Sequence, residues 1–314
     1  FNNNNVCGMP MSEKISVIIP ACNEFPQIAF TLDSISQNLR GLDHEILVVF
    51  NNNSDEAPEY LKGRGRHIKL LTSESFSCWQ ARNLGAAEAS GDYFFFFDAH
   101  ILLEPEAIAK ALAVLKAERE AGIVWFAMRY LMDTERILFG YNLKPDKFWG
   151  NWTSRRRAQE PYPLAMSGAA GMGIKAETFR AIGGWHPSFG IYGGGEPYLS
   201  LKAERLGYRN FISPDSIFAH FSAKRGYCWN NDDLWRNFLM AAFATGGAKW
   251  LERLKSHYAE KCNGVPRYLA RLDELAKEAE ELATDDHLWI ESQASFTLDE
   301  VIARDINNTE KAKP

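Results

Sequence analysis

The chain has 314 residues, a net charge of −5 and an apolar fraction of 46%, with nine Trp, eleven Tyr and twenty Phe. This composition supplies enough apolar material for a packed core, and the length allows one large domain or two small ones. The negative charge gives no chain-wide reason to expect a nucleic acid or an anionic membrane as partner. No apolar run approaches the roughly 20 residues that a membrane-spanning helix needs.

The cysteines and the N-terminus indicate the compartment. Five cysteines form no CxxC pair and no regular spacing, which is typical of free thiols in a reducing environment. The first ten residues contain an Asn run and lack the basic and apolar regions of a signal peptide. Met11 resembles a native start, so residues 1–14 are expected to be disordered or derived from an expression vector. We therefore expect a cytoplasmic protein.

The first hundred residues predict strands that alternate with helices. Strands are expected at 15–19, 45–50, 68–71 and 93–97, and helices at 26–39 and 78–89. Pro20 is expected to stop the first strand, and the five aromatics of the fourth require cover on both faces. This alternation predicts a doubly wound α/β fold with a mostly parallel sheet, in which ligands bind at the carboxyl ends of the strands.

The remainder of the chain is less regular in pattern. Residues 123–221 are expected to be largely irregular, because Gly, Pro and Trp recur there. Their regular parts are predicted as helices at 175–182 and 197–206 and a short strand at 210–212. From Asp232 onward the pattern turns helical, with an amphipathic helix at 267–282 and a frayed polar end over the last ten residues.

Asp98 and His100 directly follow the predicted aromatic strand. A carboxylate and an imidazole two residues apart can turn toward one point where the chain bends. Mixed oxygen and nitrogen ligation suits Mn²⁺ better than Mg²⁺. In an isolated Asp-x-His, a turn-capping Asp and a surface His are the ordinary interpretation. Because the motif ends a buried strand of an α/β sheet, we favour a metal site.

Other residues have two open interpretations. Glu196 follows three glycines at a predicted helix start, which suits either a ligand-facing carboxylate or a plain N-terminal helix charge. His220, among apolar neighbours, is either a core histidine or a third metal ligand. The arginines at 155–157 form a phosphate or nucleic-acid contact or a solvated turn. Three tryptophans either stack on sugar rings or pack in the interior: Trp149, Trp152 and Trp229.

The order of several motifs resembles the GT-A glycosyltransferases. Residues 18–24, the strand at 46–50 with its Asn-rich turn, and Ala-Arg-Asn-x-Gly at 81–85 are similar to the N-terminal half of these enzymes. Within that fold, the chain most resembles the polypeptide N-acetylgalactosaminyltransferases and related family-two-like bacterial and phage enzymes. The motifs of this closer resemblance are Asp98-Ala99-His100, the small-residue segment 169–174, Gly183-Gly184-Trp185, the segment 192–197 and His220.

The resemblance implies a metal-dependent hexosyl- or N-acetylhexosaminyltransferase with a nucleotide-sugar donor, first of all a UDP-sugar. It implies Asp98, His100 and His220 as ligands of Mn²⁺, with Mg²⁺ as the alternative, and Glu196 as the catalytic carboxylate. It also implies a nucleotide-sugar site, whose members are Ala21, Glu24, Asn51, Arg82, Asp98, Ala99, Ala169, Gly194 and Gly195. The sequence departs from the family at Asn51, where Asp is usual, and at Pro197, which replaces Asn.

The resemblance covers about residues 15–245 and suggests a domain plan. A nucleotide-binding half at 15–100 and an acceptor half at 101–245 form the GT-A catalytic domain, and 246–314 is a helical extension. The acceptor stays open among a small molecule, a glycan, a lipid-linked sugar, a peptide and a hydroxylated nucleic acid base. A catalytically inactive sugar-nucleotide binding module is the alternative from another class. The intact set of candidate catalytic and metal residues disfavours that alternative.

Overall fold

The structure, a computed structural model, describes residues 13–64, 67–221 and 227–311. The expectation of a disordered N-terminus therefore falls on residues 1–12 outside the described ranges. The strands are β1 Ile15–Ala21, β2 His44–Asn51, β3 Ile68–Ser73, β4 Tyr93–Phe97, β5 Ile101–Leu103, β6 Ala121–Tyr130, β7 Asp133–Leu138, β8 Tyr141–Lys144, β9 Trp149–Trp152, β10 Tyr162–Pro163, β11 Gly171–Lys175 and β12 Arg209–His220. The helices are α1 Gln27–Asn38, α2 Ala57–Lys62, α3 Cys78–Glu88, α4 Ala107–Ala117, α5 Ala176–Ile182, α6 Gly195–Arg205, α7 Asn231–Lys261, α8 Pro266–Gln293 and α9 Leu298–Lys311.

One large sheet has the strand order β10-β12-β6-β11-β4-β1-β2-β3. Two further strands pair with members of this order, β5 with β12 and β7 with β6. The half made of β3, β2, β1 and β4 is parallel. β11 runs antiparallel between β4 and β6, and β6 pairs in parallel with β12. The prediction of a mostly parallel α/β sheet is confirmed.

The aromatic strand β4 lies at the centre of this sheet, and its side chains are buried on both faces, as predicted. Phe96 meets the ring of Trp185 at 5.1 Å on one face, while Phe97 meets Phe126 at 5.2 Å on the other. Burial of such a side chain is worth roughly 1.5–3 kcal/mol relative to exposure. The strand therefore anchors the residues that follow it, including Asp98.

The first strand does not end at Pro20, contrary to the sequence expectation. β1 continues to Ala21, with Pro20 opposite Val49 of β2. The pairing of β1 with β4 has already ended at Ile18. Pro20 therefore needs no hydrogen-bonded neighbour on its other side, which is the setting that admits proline into a sheet.

The expectation of an irregular middle region was wrong. β6 is a ten-residue strand, and β12 has twelve residues in place of the short strand predicted at 210–212. β12 shifts register against β6 between Ser213 and Ile217, around a proline that made the pattern look broken. In β11, a Cβ atom on Gly171 would lie 2.7 Å from the ring of Phe218, so this strand needs glycine for packing.

The C-terminal helices pack into the same core as the sheet. Trp250 of α7, Leu275 of α8 and Ile302 of α9 belong to one buried cluster with Phe96. α9 continues to Lys311, where a frayed end was expected. No helix among the described residues is long and apolar enough to span a membrane. Four of the five cysteines lie in the described ranges and are free thiols, namely Cys22, Cys78, Cys228 and Cys262, whereas Cys7 lies outside those ranges.

Candidate functional site

Three candidate metal ligands converge at the carboxyl ends of two strands. Asp98 directly follows β4, and His220 is the last residue of β12, where it lies opposite Ile101 of β5. This pairing brings His100 beside His220, with ring centroids 4.8 Å apart. Each of the three side chains offers a ligand atom, and these atoms lie within 4.8 Å of one another. The structure thus brings together residues that are 120 positions apart in the chain.

Asp98 presents one carboxylate oxygen to both imidazoles. Its Oδ2 lies 3.5 Å from Nε2 of His220 and 3.9 Å from Nε2 of His100. His220 is the last residue of the long strand β12, whereas the sequence analysis predicted that it follows a short strand at 210–212. One carboxylate oxygen and two imidazole nitrogens form a donor set that suits divalent transition metals.

Glu24 orients the imidazole of His100. Its Oε2 lies 2.9 Å from Nδ1 of His100. Because a carboxylate accepts hydrogen bonds, Nδ1 donates its proton to Glu24, and in the neutral imidazole Nε2 is the nitrogen left to bind a metal. Metal-ligating histidines commonly have a carboxylate on their second nitrogen, which fixes the tautomer and the ring. Glu24 thus acts on the ligand set as well as lining the cleft beside it.

The other oxygen of Asp98 is held by a buried arginine. Nη2 of Arg82, on α3, lies 2.6 Å from Oδ1 of Asp98, and Arg82 is only 2% exposed. Burial raises the pKa of Asp98. A hydrogen bond from His220 and the charges of Arg82 and His100 outweigh it and hold this pKa well below its usual range. Asp98 is therefore ionised at neutral pH, as a metal ligand must be.

A cleft opens beside this cluster. Several residues of the expected nucleotide-sugar site line it: Glu24, Asn51, Arg82, Asp98, Ala99 and Ala169. Ala21 is 1% exposed at the end of β1, next to the lining residue Cys22. The cleft is also lined by Phe76, Cys78, Trp79, Tyr192 and Tyr227, which sequence analysis did not single out as site residues. Trp79 could have been noticed, because it lies one turn before Arg82 on α3.

Glu196 lies in the first turn of α6 and lines the cleft. The glycines before it serve close packing. Gly194 has φ +75°, and a Cβ atom there would lie 2.4 Å from the carbonyl oxygen of Asn237 on α7. A Cβ atom on Gly195 would lie 2.5 Å from the indole ring of Trp79. The Gly-rich segment therefore packs closely between α3 and α7. This packing sets the direction in which α6 and Glu196 begin.

Two cysteines line the cleft as protonated thiols. Burial raises the pKa of the Cys22 thiol to about 11 and that of the Cys78 thiol to about 12. Both thiols stay protonated at neutral pH. Neither is a thiolate nucleophile or a thiolate metal ligand in this state.

The structure also shows the surroundings of the remaining candidates, which are the arginines at 155–157 and the three tryptophans. Arg156 pairs with Asp215 at 2.9 Å and Arg157 lies 3.7 Å from Asp305, so two of the three arginines have partners within the chain. Two tryptophans have aromatic neighbours at 5.0 and 4.4 Å, which are Phe238 for Trp149 and Tyr141 for Trp152. The third, Trp229, is 42% exposed, and its ring lies 5.3 Å from that of Tyr192.

The order of the strands and the helices that flank the sheet are those of the GT-A glycosyltransferase fold. The chain belongs to glycosyl transferase family 2, whose sequence profile matches residues 16–183. It is 26% identical over 253 residues to polypeptide N-acetylgalactosaminyltransferase 5 of Caenorhabditis elegans, covering 74% of this chain and 39% of the relative. It is 32% identical over 106 residues to a dolichol-phosphate mannosyltransferase of Pyrococcus furiosus, covering 33% and 30%. The chain thus spans less than half the length of these two relatives.

Solved structures show the same fold. The crystal structure of GalNAc-T7 with UDP, GalNAc and Mn²⁺ matches with a TM-score of 0.65 at 18% identity, covering 88% of this chain and 57% of the other. The mannosyltransferase PcManGT of Pyrobaculum calidifontis with GDP-Man and Mn²⁺ matches with a TM-score of 0.51 at 19% identity, covering 93% and 79%. These matches confirm the resemblance found in the sequence motifs.

Proposed function

We propose that this chain is a metal-dependent glycosyltransferase that moves a sugar from a nucleotide-sugar donor to an acceptor hydroxyl. The observation that carries the proposal is the convergence of Asp98, His100 and His220 in a cleft that Glu196 also lines. Family membership supports the reaction class. The names of the relatives and the nucleotides in the similar structures support a nucleotide-sugar donor.

The donor set of the cluster fits Mn²⁺. Asp98 supplies a carboxylate oxygen and His100 and His220 supply imidazole nitrogens, a mixture that Mg²⁺ takes less readily. When bound there, Mn²⁺ would supply charge stabilisation to a departing diphosphate as a Lewis acid. Both solved structures reported above contain Mn²⁺, which supports this choice of metal.

The remaining residues have separate roles in the proposal. Arg82 holds Asp98 ionised and Glu24 orients His100. Asn51, 4% exposed at the end of β2, can both donate to and accept from a nucleobase, and we assign it to the uracil of a UDP-sugar. Glu196 accepts the hydrogen bond or the proton of the acceptor hydroxyl, because it is the carboxylate in the cleft that lies outside the cluster around His100.

Modification of nucleic acid bases is a weaker candidate. It needs several basic contacts to phosphates, and Arg156 and Arg157 are engaged with carboxylates elsewhere in the chain. A catalytically inactive binding module is also weaker. Binding alone would not require a convergent metal cluster together with a carboxylate in the same cleft.

The experiment is a panel of UDP- and GDP-sugars incubated with the protein and Mn²⁺, scored for slow donor hydrolysis without acceptor. We expect hydrolysis of one UDP-sugar, loss of it in excess chelator and recovery on adding Mn²⁺. Full activity in excess chelator would overturn the metal assignment. Tight nucleotide binding without hydrolysis or transfer to any acceptor would favour the inactive module.

A further inference from the structure

Aromatic side chains surround the mouth of the cleft. Phe76 and Tyr227 line it and meet edge to face, with ring centroids 6.1 Å apart. Tyr192 also lines it, four residues before Glu196, and its ring lies 5.3 Å from that of Trp229 at an angle of 37°. Trp229 is 42% exposed, so this pair extends an aromatic surface from the cleft to solvent.

The start of α7 holds this pair in place. Asn230 caps the helix by accepting a hydrogen bond from the backbone N–H of Asp233 at 2.8 Å. Asp233 in turn accepts from the backbone N–H of Ile191 at 2.5 Å. Asn237, which is fully buried, donates from Nδ2 to the carbonyl oxygen of Tyr192 at 2.9 Å. One helix end therefore positions both Trp229 and the segment that carries Tyr192.

We propose that Trp229 and Tyr192 form a platform for the pyranose ring of a saccharide acceptor. The proposal rests on the glycosyltransferase function above and specifies its acceptor class. A pyranose has an apolar face of C–H groups that stacks on an aromatic face, while its hydroxyls stay available at the ring edge. Because Tyr192 lines the cleft that Glu196 also lines, a ring on this platform would lie beside that cleft. A platform fixed before binding lowers the ordering cost of association.

The charges on the described start of α7 favour a saccharide over a nucleic acid. Nucleic acid binding relies on Lys and Arg contacts to phosphates. In the described part of α7 beside Trp229, Arg236 pairs with Asp233 at 2.6 Å and with Glu278 at 3.2 Å. Asp232, also in the first turn, pairs with Arg271 on α8. Arg236 and Arg271 are therefore each paired with carboxylates within the described part of the chain.

The test compares Trp229→Ala and Trp229→Phe with Trp289→Ala. Trp289 is a matched control, because it is 38% exposed on α8 and lies against Lys202. The probes are unsubstituted methyl glycosides and short oligosaccharides, a Ser/Thr peptide and a hydroxymethylated oligonucleotide. Transfer from the donor found in the panel above is measured for each probe, together with the Kd of UDP and Mn²⁺. The saccharide should also change the tryptophan fluorescence of the parent protein.

We expect a saccharide to be an acceptor, with its KM raised about tenfold in Trp229→Ala, less in Trp229→Phe and not in Trp289→Ala. The Kd of UDP and Mn²⁺ should change less than twofold in all three. A parent protein that hydrolyses donor but transfers only to the peptide or the oligonucleotide would overturn the inference and leave the proposed function intact. An unchanged saccharide KM in Trp229→Ala would do the same. Failure of the parent to hydrolyse any donor would count against the proposed function instead.

Discussion

Arg82 and Asp98 form an ion pair, 2.6 Å between Nη2 and Oδ1, that divides the two oxygens of the carboxylate between two tasks. One oxygen is held by the buried guanidinium, and the other faces His100 and His220. The pair also links the helix α3 to the end of β4. Arg82 therefore orients Asp98 from the side opposite the two histidines. The residues of the site can be tested one at a time.

Glu24→Gln should weaken Mn²⁺ binding by roughly ten- to a hundredfold, as loss of a partner of a ligating histidine commonly does. The amide can still meet Nδ1 of His100, but it no longer selects the tautomer that directs the Nε2 lone pair into the site. A Mn²⁺ titration followed by electron paramagnetic resonance measures the change. Glu59→Gln on the exposed face of α2 is the control. Equal affinity in both variants would remove Glu24 from the site.

His220→Ala separates a metal ligand from a core histidine. As a ligand, its loss should raise the Mn²⁺ concentration for half-maximal donor hydrolysis by an order of magnitude or more, with little change in Tm. As a core residue, its loss would lower stability by about 1 kcal/mol or more and leave the titration unchanged. Both quantities are measured on one preparation. His257→Ala is the control, because His257 lies on α7 and does not line the cleft. Early melting with a normal Mn²⁺ titration would leave two protein ligands.

Glu196→Gln preserves size and hydrogen bonding while it removes the charge. Sugar transfer should fall by at least about a hundredfold, the scale of general acid–base groups, with little change in the Kd of UDP. Glu177→Gln is the matched control, because Glu177 occupies the first turn of α5 outside the cleft. Steady-state transfer and calorimetric UDP binding check the prediction. Near-normal transfer by Glu196→Gln would exclude Glu196 from the reaction.

Glu204 on α6 gives a pH dependence of stability that is independent of the metal site. Burial raises its pKa to about 7, although hydrogen bonds from Asn210 and Arg304 oppose the rise. The folded protein therefore binds this proton more tightly than the unfolded chain does. The stability from the protonated form is complete below the ordinary pKa of a glutamate. It is lost as pH rises through about 7.

Glu204→Gln mimics the protonated form, so its Tm minus that of the parent should increase from pH 5 to pH 8, by at least about 2 °C. Thermal melts at several pH values give this difference. Glu281→Gln on the exposed side of α8 should show a flat difference over the same range. Parallel curves for parent and Glu204→Gln would mean that the ionised carboxylate is as well accommodated as the neutral one.

The N-terminal half of the fold could be predicted because its signals are local. Three examples are the strand of five aromatics, the turn residues after β2 and the Asp-x-His after β4. Each of these motifs consists of residues that are neighbours in the sequence. The middle failed because tertiary packing overrode local preference. There, β11 requires Gly171 because the ring of Phe218 leaves no room for a Cβ atom. In the N-terminal half, the end predicted for the first strand was wrong, because Pro20 is tolerated in β1 where the pairing with β4 has ended at Ile18.

The fold class, the family resemblance and the residue types that could bind a metal were all predictable from local pattern, because periodicity and motif order are properties of neighbouring residues. Three-dimensional packing was needed to show that His220 lies 3.5 Å from Asp98, that Glu24 contacts His100, and that the exposed Trp229 lies beside Tyr192. These contacts join residues far apart in the chain. They exist because the pairing of β5 with β12 and the packing of α7 on the Gly-rich segment fix distances that no local pattern encodes.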